Sequence, residues 1–200
     1  MGEIVETCEG LEEKVGLRRG SLRKEVERVM SCLESNMETE NIVLCHGDLK
    51  PSNVMVEEGE KIVKLIDFEL SGVGWRGFDL YKMFRTGGEG REENMEAFCA
   101  SYLNCDDSSD SPCSTELTSL LVEEARLFEP VTWLEAGVFF LYAIGEGREG
   151  LTEEEEGEWE KEMEGLAKDR IGEYLKCVEG WEGRVEDWRN RVNEMKARGS

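Results

Sequence analysis

The chain has 200 residues, with 24 Lys and Arg against 46 Asp and Glu, and a formal net charge of −22. A surface this acidic repels phosphate backbones and anionic bilayers, which argues against nucleic-acid binding and against stable membrane insertion. Hydrophobic residues make up 39% of the chain, enough for a packed core in one domain of ordinary size.

No uninterrupted apolar run reaches the roughly 18 residues of a membrane span. The longest, Val131 to Ile144, is broken by Glu135. The acidic start, Met1-Gly2-Glu3-Ile4-Val5-Glu6, fits neither a secretory signal nor a transit peptide, and Glu6 stands where a myristoylation signal has Ser or Thr. Seven cysteines without a C-x-x-C pair, and a single histidine, His46, leave little for a zinc site. They read as thiols in a reducing compartment, so a cytoplasmic location is expected. A redox-sensitive group at Cys99, Cys105 and Cys113 is the lesser alternative.

In chain order, residues 10–36 carry apolar residues near helical spacing from Leu11 to Leu33, with Gly16 and Gly20 weakening the first half. Ile42-Val43-Leu44-Cys45 predicts a strand. His46 to Asn53 is a loop containing a proline. Val54-Met55-Val56 and Lys61 to Asp67 predict two strands joined by the turn Glu57–Glu60, so 54–67 is a hairpin. Helices follow over 77–86 and 92–103, then a polar loop over 104–114. Further helices are expected over 115–127, 130–145, 152–177 and 183–197. Trp133, Leu134, Val138, Leu141 and Tyr142 form an apolar stripe on one of these. The acidic run Glu153–Glu156 suits a helix start, where negative charge meets the positive end of the dipole.

Gly72-Val73-Gly74-Trp75-Arg76-Gly77 matches G-x-G-x-x-G, the dinucleotide fingerprint. Four residues separate it from the preceding strand, and no strand ending in an acidic residue follows it. It is expected to be a tight loop leading into the helix that carries Asp79.

The chemistry concentrates in LCHGDLKPSNVMVEEGEKIVKLIDFELSGVGWRGFD, residues 44–79. Phosphoryl transfer needs a carboxylate to orient the attacking hydroxyl and take its proton. It also needs a second carboxylate and an amide oxygen to hold Mg²⁺ against nucleotide phosphates. Asp48 sits on a loop after a strand, Asn53 follows five residues on, and Asp67 lies at the end of the hairpin. Mg²⁺ is a hard cation, so the oxygens of Asn53 and Asp67 suit it and the cysteines do not. A lone Asp-x-x-x-x-Asn is common in loops. HGDLKPSN, then IDFE after a hairpin, then RGFD opening a helix is far more specific.

At these residues the chain resembles the kinase-like phosphotransferases. HGDLKPSN is similar to the catalytic loop of the protein kinases and of the small-molecule kinases of the aminoglycoside phosphotransferase and choline/ethanolamine kinase type. Gly47 in place of Arg, Asp67-Phe68-Glu69 in place of Asp-Phe-Gly, and the absence of a following Ala-Pro-Glu separate it from the protein kinases. IDFE followed by Trp75-Arg76-Gly77-Phe78-Asp79 resembles the choline/ethanolamine kinase pattern. Glu124–Phe128, Phe139–Ile144 and Ala167–Tyr174 more diffusely resemble that family's later helices.

The resemblance implies a helix-rich α+β fold, a protein-kinase-like C-terminal lobe with a small β-hairpin at the catalytic centre. The whole of 1–200 is read as one domain, with 41–80 the catalytic loop and metal-binding hairpin and 81–198 a helical substrate-side region. About 41 residues precede the catalytic strand and read as helix, so the N-terminal nucleotide-covering lobe is expected to be missing. The implied cofactors are ATP and Mg²⁺. The implied reaction moves the γ-phosphate to the hydroxyl of a small amino alcohol, choline or ethanolamine, the first step of phosphatidylcholine and phosphatidylethanolamine synthesis. Asp48 is implied as the base, Asn53 and Asp67 as Mg²⁺ ligands, and Lys50 as a contact to the transferred phosphate. His46, Gly47, Arg76 and Asp79 are implied as structural support, with Asp79 holding the loop backbone. Glu69, Phe139 and Tyr142 stand where an ammonium headgroup could be met, although from the residues alone core packing accounts better for both aromatics.

The chain departs from the family pattern at Lys50 and over Lys82–Gly87, where Thr86 takes the position of a Glu that lines the choline pocket. Other acceptors, an aminoglycoside among them, therefore stay open. So do a non-catalytic interaction module and a homodimer.

Overall fold

Four consecutive apolar residues, two of them β-branched, build β1 (Ile42–Cys45). Immediately after it the chain turns through the loop that carries Asp48, then a 3-10 turn at Pro51–Asn53 with Pro at its first position. A hairpin of β2 (Val54–Glu57) and β3 (Ile62–Leu65) follows, antiparallel with Val54 opposite Leu65 and Glu57 opposite Ile62. The computed structural model describes residues 6–8, 10–57, 62–85, 91–104 and 115–199.

The glycine-rich segment is not a loop. Gly72–Trp75 forms β4, antiparallel to β1, with Ile42 opposite Trp75 and Cys45 opposite Gly72. Its two glycines hide the strand from propensity, but β1 has unpaired backbone groups that β4 satisfies. A Cβ on Gly74 would lie 3.3 Å from the Cys45 sulfur, so the small residue suits the close approach. Each sheet has two strands, and each leaves apolar side chains exposed. Leu44 and Val73 lie opposite each other and are 81% and 82% exposed, and Met55, Val56, Val63 and Leu65 on the hairpin are exposed too.

Seven α-helices complete the described residues: α1 (Ser21–Asn36), α2 (Arg76–Phe84), α3 (Arg91–Leu103), α4 (Thr115–Leu127), α5 (Glu129–Glu146), α6 (Glu153–Cys177) and α7 (Trp181–Gly199). The helix expected over 10–36 is broken. A 3-10 turn at Glu12–Val15 ends at Gly16, and Gly16 and Gly20 both take positive φ, which an α-helix excludes. Residues 86–90, at the junction between the helices expected over 77–86 and 92–103, and all but the first residue of the polar loop expected over 104–114 lie outside the described residues.

The chain divides into two compact units. The first comprises the described residues up to Ser35 and Pro130–Trp181. Here the buried Glu12 carboxylate accepts from the backbone N–H groups of Gly20 (2.9 Å) and Leu22 (3.3 Å), satisfying donors at the start of α1. Leu22, Val29 and Leu33 make the buried face of α1, and Ala167, Ile171 and Tyr174 that of α6. Thr152 caps α6 reciprocally with Glu155, and Glu153–Glu156 fill its first turn.

The second unit comprises Asn36–Glu129 and the residues from Glu182 on. It holds the four described strands and the loop between β1 and β2. In it α4 supplies the core, with Leu121, Val122, Ala125 and Leu127 buried, and α2 and α3 both pack on α4. The indole of Trp188 on α7 donates to the Leu120 carbonyl at 3.0 Å.

The span Thr115–Glu146 contains an 18-residue window that is apolar and long enough to cross a membrane by length and composition, wider than the run Val131–Ile144 once isolated charges are tolerated. Half of that window is buried inside the protein, as in a core helix.

Candidate active site

The loop His46–Lys50 leaves the end of β1 and is held from below by a single carboxylate. Asp79, in the first turn of α2, accepts from the backbone N–H of His46 at 2.5 Å and of Gly47 at 3.0 Å. Two charge-assisted bonds to adjacent amides fix the direction in which the loop departs. The His46 ring is buried. Its Nε2 donates to the Ile66 carbonyl (2.8 Å), and its Nδ1 accepts from the Asp48 N–H (3.3 Å). This pair of contacts assigns the neutral Nε2–H tautomer. The ring also stacks on Phe68, with centroids 4.7 Å apart. One imidazole thereby ties the loop to the exit of the hairpin.

Gly47 has φ +82°, and a Cβ there would sit 2.2 Å from the Leu70 carbonyl oxygen. Both facts require glycine. Gly47→Ala is expected to cost at least about 1–3 kcal/mol from the left-handed backbone alone, with the clash added. Urea denaturation checks this, and an unchanged midpoint would contradict it.

The Asp48 side chain is 18% exposed. Its Oδ2 lies 2.6 Å from Lys50 Nζ and accepts from Asn53 Nδ2 at 3.3 Å, while its Oδ1 lies 3.2 Å from Lys82 Nζ. Burial pushes this carboxyl up, but the hydrogen bond from Lys50 and the charge of Lys82 outweigh burial and hold it below its ordinary value. Asp48 is therefore an ionised acceptor at neutral pH.

Asn53 is buried and donates through Nδ2 to the Asp48 carbonyl at 2.9 Å. Spending the amide nitrogen on Asp48 leaves Oδ1 as the oxygen for a cation. The Asn53 carbonyl accepts from the Ile66 N–H at 3.1 Å, which sets Asp67 one residue further along the same backbone. Asp67 is exposed and takes φ 69°, a left-handed conformation uncommon for a non-glycine residue. Among the described residues no three His, Cys, Asp or Glu side chains gather as a metal cage. Mg²⁺ does not require one, since one or two protein oxygens plus phosphate oxygens and water fill its shell. The amide oxygen of Asn53 and the carboxylate of Asp67 fit that donor set.

Glu69 is exposed on the 3-10 turn Phe68–Leu70, in the same unit. Phe139 and Tyr142 belong to the other unit, on α5. Phe139 is 55% exposed, so the core packing expected for it does not hold. The buried face runs through Leu134, Val138 and Leu141, and residue 139 lies about 100° around the helix from Val138. Tyr142 is half-buried. Thr86 lies outside the described residues.

Arg76 does more than open a helix. Its guanidinium forks onto Glu124 of α4, with Nε 3.0 Å from Oε1 and a terminal nitrogen 2.7 Å from Oε2, and Asn41 Nδ2 donates to Oε2 at 3.1 Å. Glu124 is 1% exposed. Burial pushes its carboxyl up, and Arg76 and Asn41 pull against it without fully compensating. Neither Glu124 nor Asn41 is a residue the motif points to. The readable signal was Glu124 lying three and four residues after Leu121 and Leu120, on an otherwise apolar helix face. Lys82 also lies outside the motif, three residues after Asp79 and so on the same face of α2.

Cys8, Cys32, Cys45, Cys99 and Cys177 are thiols. Cys45 is pushed up to about 11 by burial and by Asp79, and Cys99 to about 11 by burial and by Glu124. A buried, protonated Cys99 is a poor redox sensor. Cys105 and Cys113 lie outside the described residues.

The sequence profile described as the phosphotransferase enzyme family matches residues 6–112. Choline kinase B1 of Caenorhabditis elegans is 29% identical over an aligned stretch of 115 residues that covers 48% of this chain and 31% of that protein. Probable ethanolamine kinase B of Dictyostelium discoideum is 36% identical over 72 residues, 36% of this chain and 16% of that protein. The chain thus spans well under half the length of these relatives. Among solved structures, an ethanolamine kinase of Plasmodium vivax aligns with TM-score 0.50 at 23% identity, over 72% of this chain and 38% of that one. A choline kinase of Cryptosporidium parvum aligns with TM-score 0.52 at 16% identity, over 94% of this chain and 52% of that one. The helix-rich α+β architecture is therefore kinase-like. Together with the loop geometry, these matches show that the chain belongs to the phosphotransferase enzyme family and fits its choline/ethanolamine kinase branch.

Proposed function

We propose that the protein transfers the γ-phosphate of ATP to the hydroxyl of a small amino alcohol, ethanolamine or choline, in the cytoplasm. The observation that carries this reading is an ionised Asp48 on a loop pinned by Asp79 and His46, with the Asn53 amide aimed at it. In this reading the acceptor hydroxyl donates to Asp48. As the new O–P bond forms and the bond to the leaving nucleoside diphosphate breaks, the hydroxyl proton passes to the Asp48 carboxylate. Asn53 Oδ1 and the Asp67 carboxylate would hold Mg²⁺, which when bound neutralises phosphate charge. Lys50, with its side chain 45% exposed, can leave Asp48 and meet the transferred phosphoryl group. The exposed Glu69 carboxylate suits a cationic headgroup. The thiol state of the five described cysteines supports a reducing compartment.

Thermal unfolding with Mg-ATP tests the nucleotide half of the reading. At about one hundred times Kd, the midpoint is expected to rise by roughly 5–10 °C, and EDTA or Asp67→Ala should remove the rise. Transfer of labelled phosphate to ethanolamine, choline and an aminoglycoside then ranks the acceptors. No thermal shift and no transfer would overturn the proposal in favour of a non-catalytic interaction module.

A further inference from the structure

The two oxygens of the Asp48 carboxylate are not equivalent. Oδ2 is met by Lys50, whose side chain is 45% exposed, and by the Asn53 amide. Oδ1 is met by Lys82 Nζ at 3.2 Å, and the Lys82 side chain is only 4% exposed. The same ammonium donates to the Gly47 carbonyl at 3.0 Å and lies 5.1 Å from the centroid of the Phe78 ring, one helical turn back on α2. Lys82 thus touches the loop at two successive residues from within the protein, whereas Lys50 touches it from the solvent side. A buried ammonium is costly unless carboxylate and carbonyl oxygens compensate it, and here those oxygens belong to the loop that carries Asp48. The helix that presents Asp79 to the loop amides also presents Lys82, three residues later, to the loop acceptors. Backbone donors and acceptors of the loop are therefore gripped by one helix face.

We propose that Lys82 is a positioning residue that clamps Asp48 through Oδ1 and the Gly47 carbonyl, so that Oδ2 is the oxygen presented to the acceptor hydroxyl when Lys50 swings away. The assignment rests on the phosphotransfer reading above. It adds a second cation at the carboxylate, with a role opposite to that of Lys50. Lys82 stays in place during turnover, and Lys50 moves.

The test compares Lys82→Met, Lys82→Gln and Lys82→Arg in steady-state phosphate transfer, with thermal unfolding as a control for folding. Loss of the clamp is a misplacement of the base. Lys82→Met and Lys82→Gln should therefore lower kcat by about 10²-fold and leave KM for Mg-ATP and acceptor within about threefold. Lys82→Arg should recover most of kcat. If Lys82→Met fails to fold, Lys82→Gln carries the measurement, since it removes the charge and keeps a polar donor on a side chain one bond shorter. A rise in KM with kcat unchanged, or full kcat in Lys82→Gln, would overturn the proposal. Should the wild type transfer phosphate to no acceptor, the phosphotransfer reading fails, and a crystal structure of Lys82→Gln still reads the clamp. The Asp48 carboxylate should then leave its position while the Asp79 bonds to His46 and Gly47 persist. An unmoved Asp48 would overturn the clamp on its own.

Discussion

Asp48→Asn is expected to reduce phosphate transfer by about 10²–10⁴-fold, the usual range for a lost general base. The substitution keeps the shape of the side chain and removes its charge. Asn53 Nδ2 can still donate to an amide oxygen at this position, and the pinning of the loop by Asp79 and His46 does not involve the Asp48 side chain. The loop should therefore keep its path. What disappears is the acceptor for the hydroxyl proton, together with the negative charge that Lys50 and Lys82 face. KM for Mg-ATP should change little, because Asn53 Oδ1 and Asp67 are untouched. Measuring kcat and KM in parallel with urea denaturation separates the two effects. Wild-type kcat in a folded Asp48→Asn protein would remove Asp48 from the mechanism.

The second large effect concerns stability. Arg76→Met is expected to destabilise the protein by about 3–5 kcal/mol at neutral pH, the cost of breaking a buried ion pair from one side. Native proteins of this size hold only about 5–15 kcal/mol in total, so the variant should lie close to its folding limit. Glu124 would keep its bond from Asn41 but lose the bidentate guanidinium that offsets its burial. Its carboxyl already titrates above its ordinary value, and without Arg76 it should move higher. A carboxyl whose folded value exceeds its unfolded one favours the fold below the unfolded value and loses that contribution as pH rises through the folded value. Arg76→Met should accordingly grow less stable relative to wild type between mildly acidic and neutral pH. Urea midpoints at several pH values check the slope, and a loss below about 1 kcal/mol at neutral pH would refute the buried-pair argument.

Much of this fold is legible because it is local. The apolar run of β1 and the capping pair Thr152 and Glu155 before α6 each declare themselves within a few residues, and the helices from Thr115 onward fall within two residues of their expected bounds. Two local readings failed for one reason, the permissiveness of glycine. Gly16 and Gly20 stop a helix that the apolar spacing would continue, and Gly72 and Gly74 hide a strand that forms only because β1 needs a partner. In the candidate site, the motif names the residues on the loop itself. It also names Asp79, which grips the loop from α2, but not Lys82, which grips it from the same helix. Lys82 meets Gly47 across 35 positions, and away from the loop Glu124 meets Arg76 and Asn41 across 48 and 83; ordinary charged or polar residues at such separations carry no pattern that a single sequence exposes.

The bare faces of the two small sheets give the molecule a two-range behaviour in solution. With a net charge of −22, copies repel one another at distances comparable to the Debye length, about 10 Å at 0.1 M salt. At 1 M salt that length shrinks to about 3 Å, and the repulsion no longer keeps Leu44 and Val73 of one copy away from those of another. Contact between such strips is then governed by water release, which salts of the sulfate type strengthen. Ionic strength therefore acts as a colloidal control: dilute buffer keeps the particles dispersed, and concentrated sulfate turns the same surface adhesive.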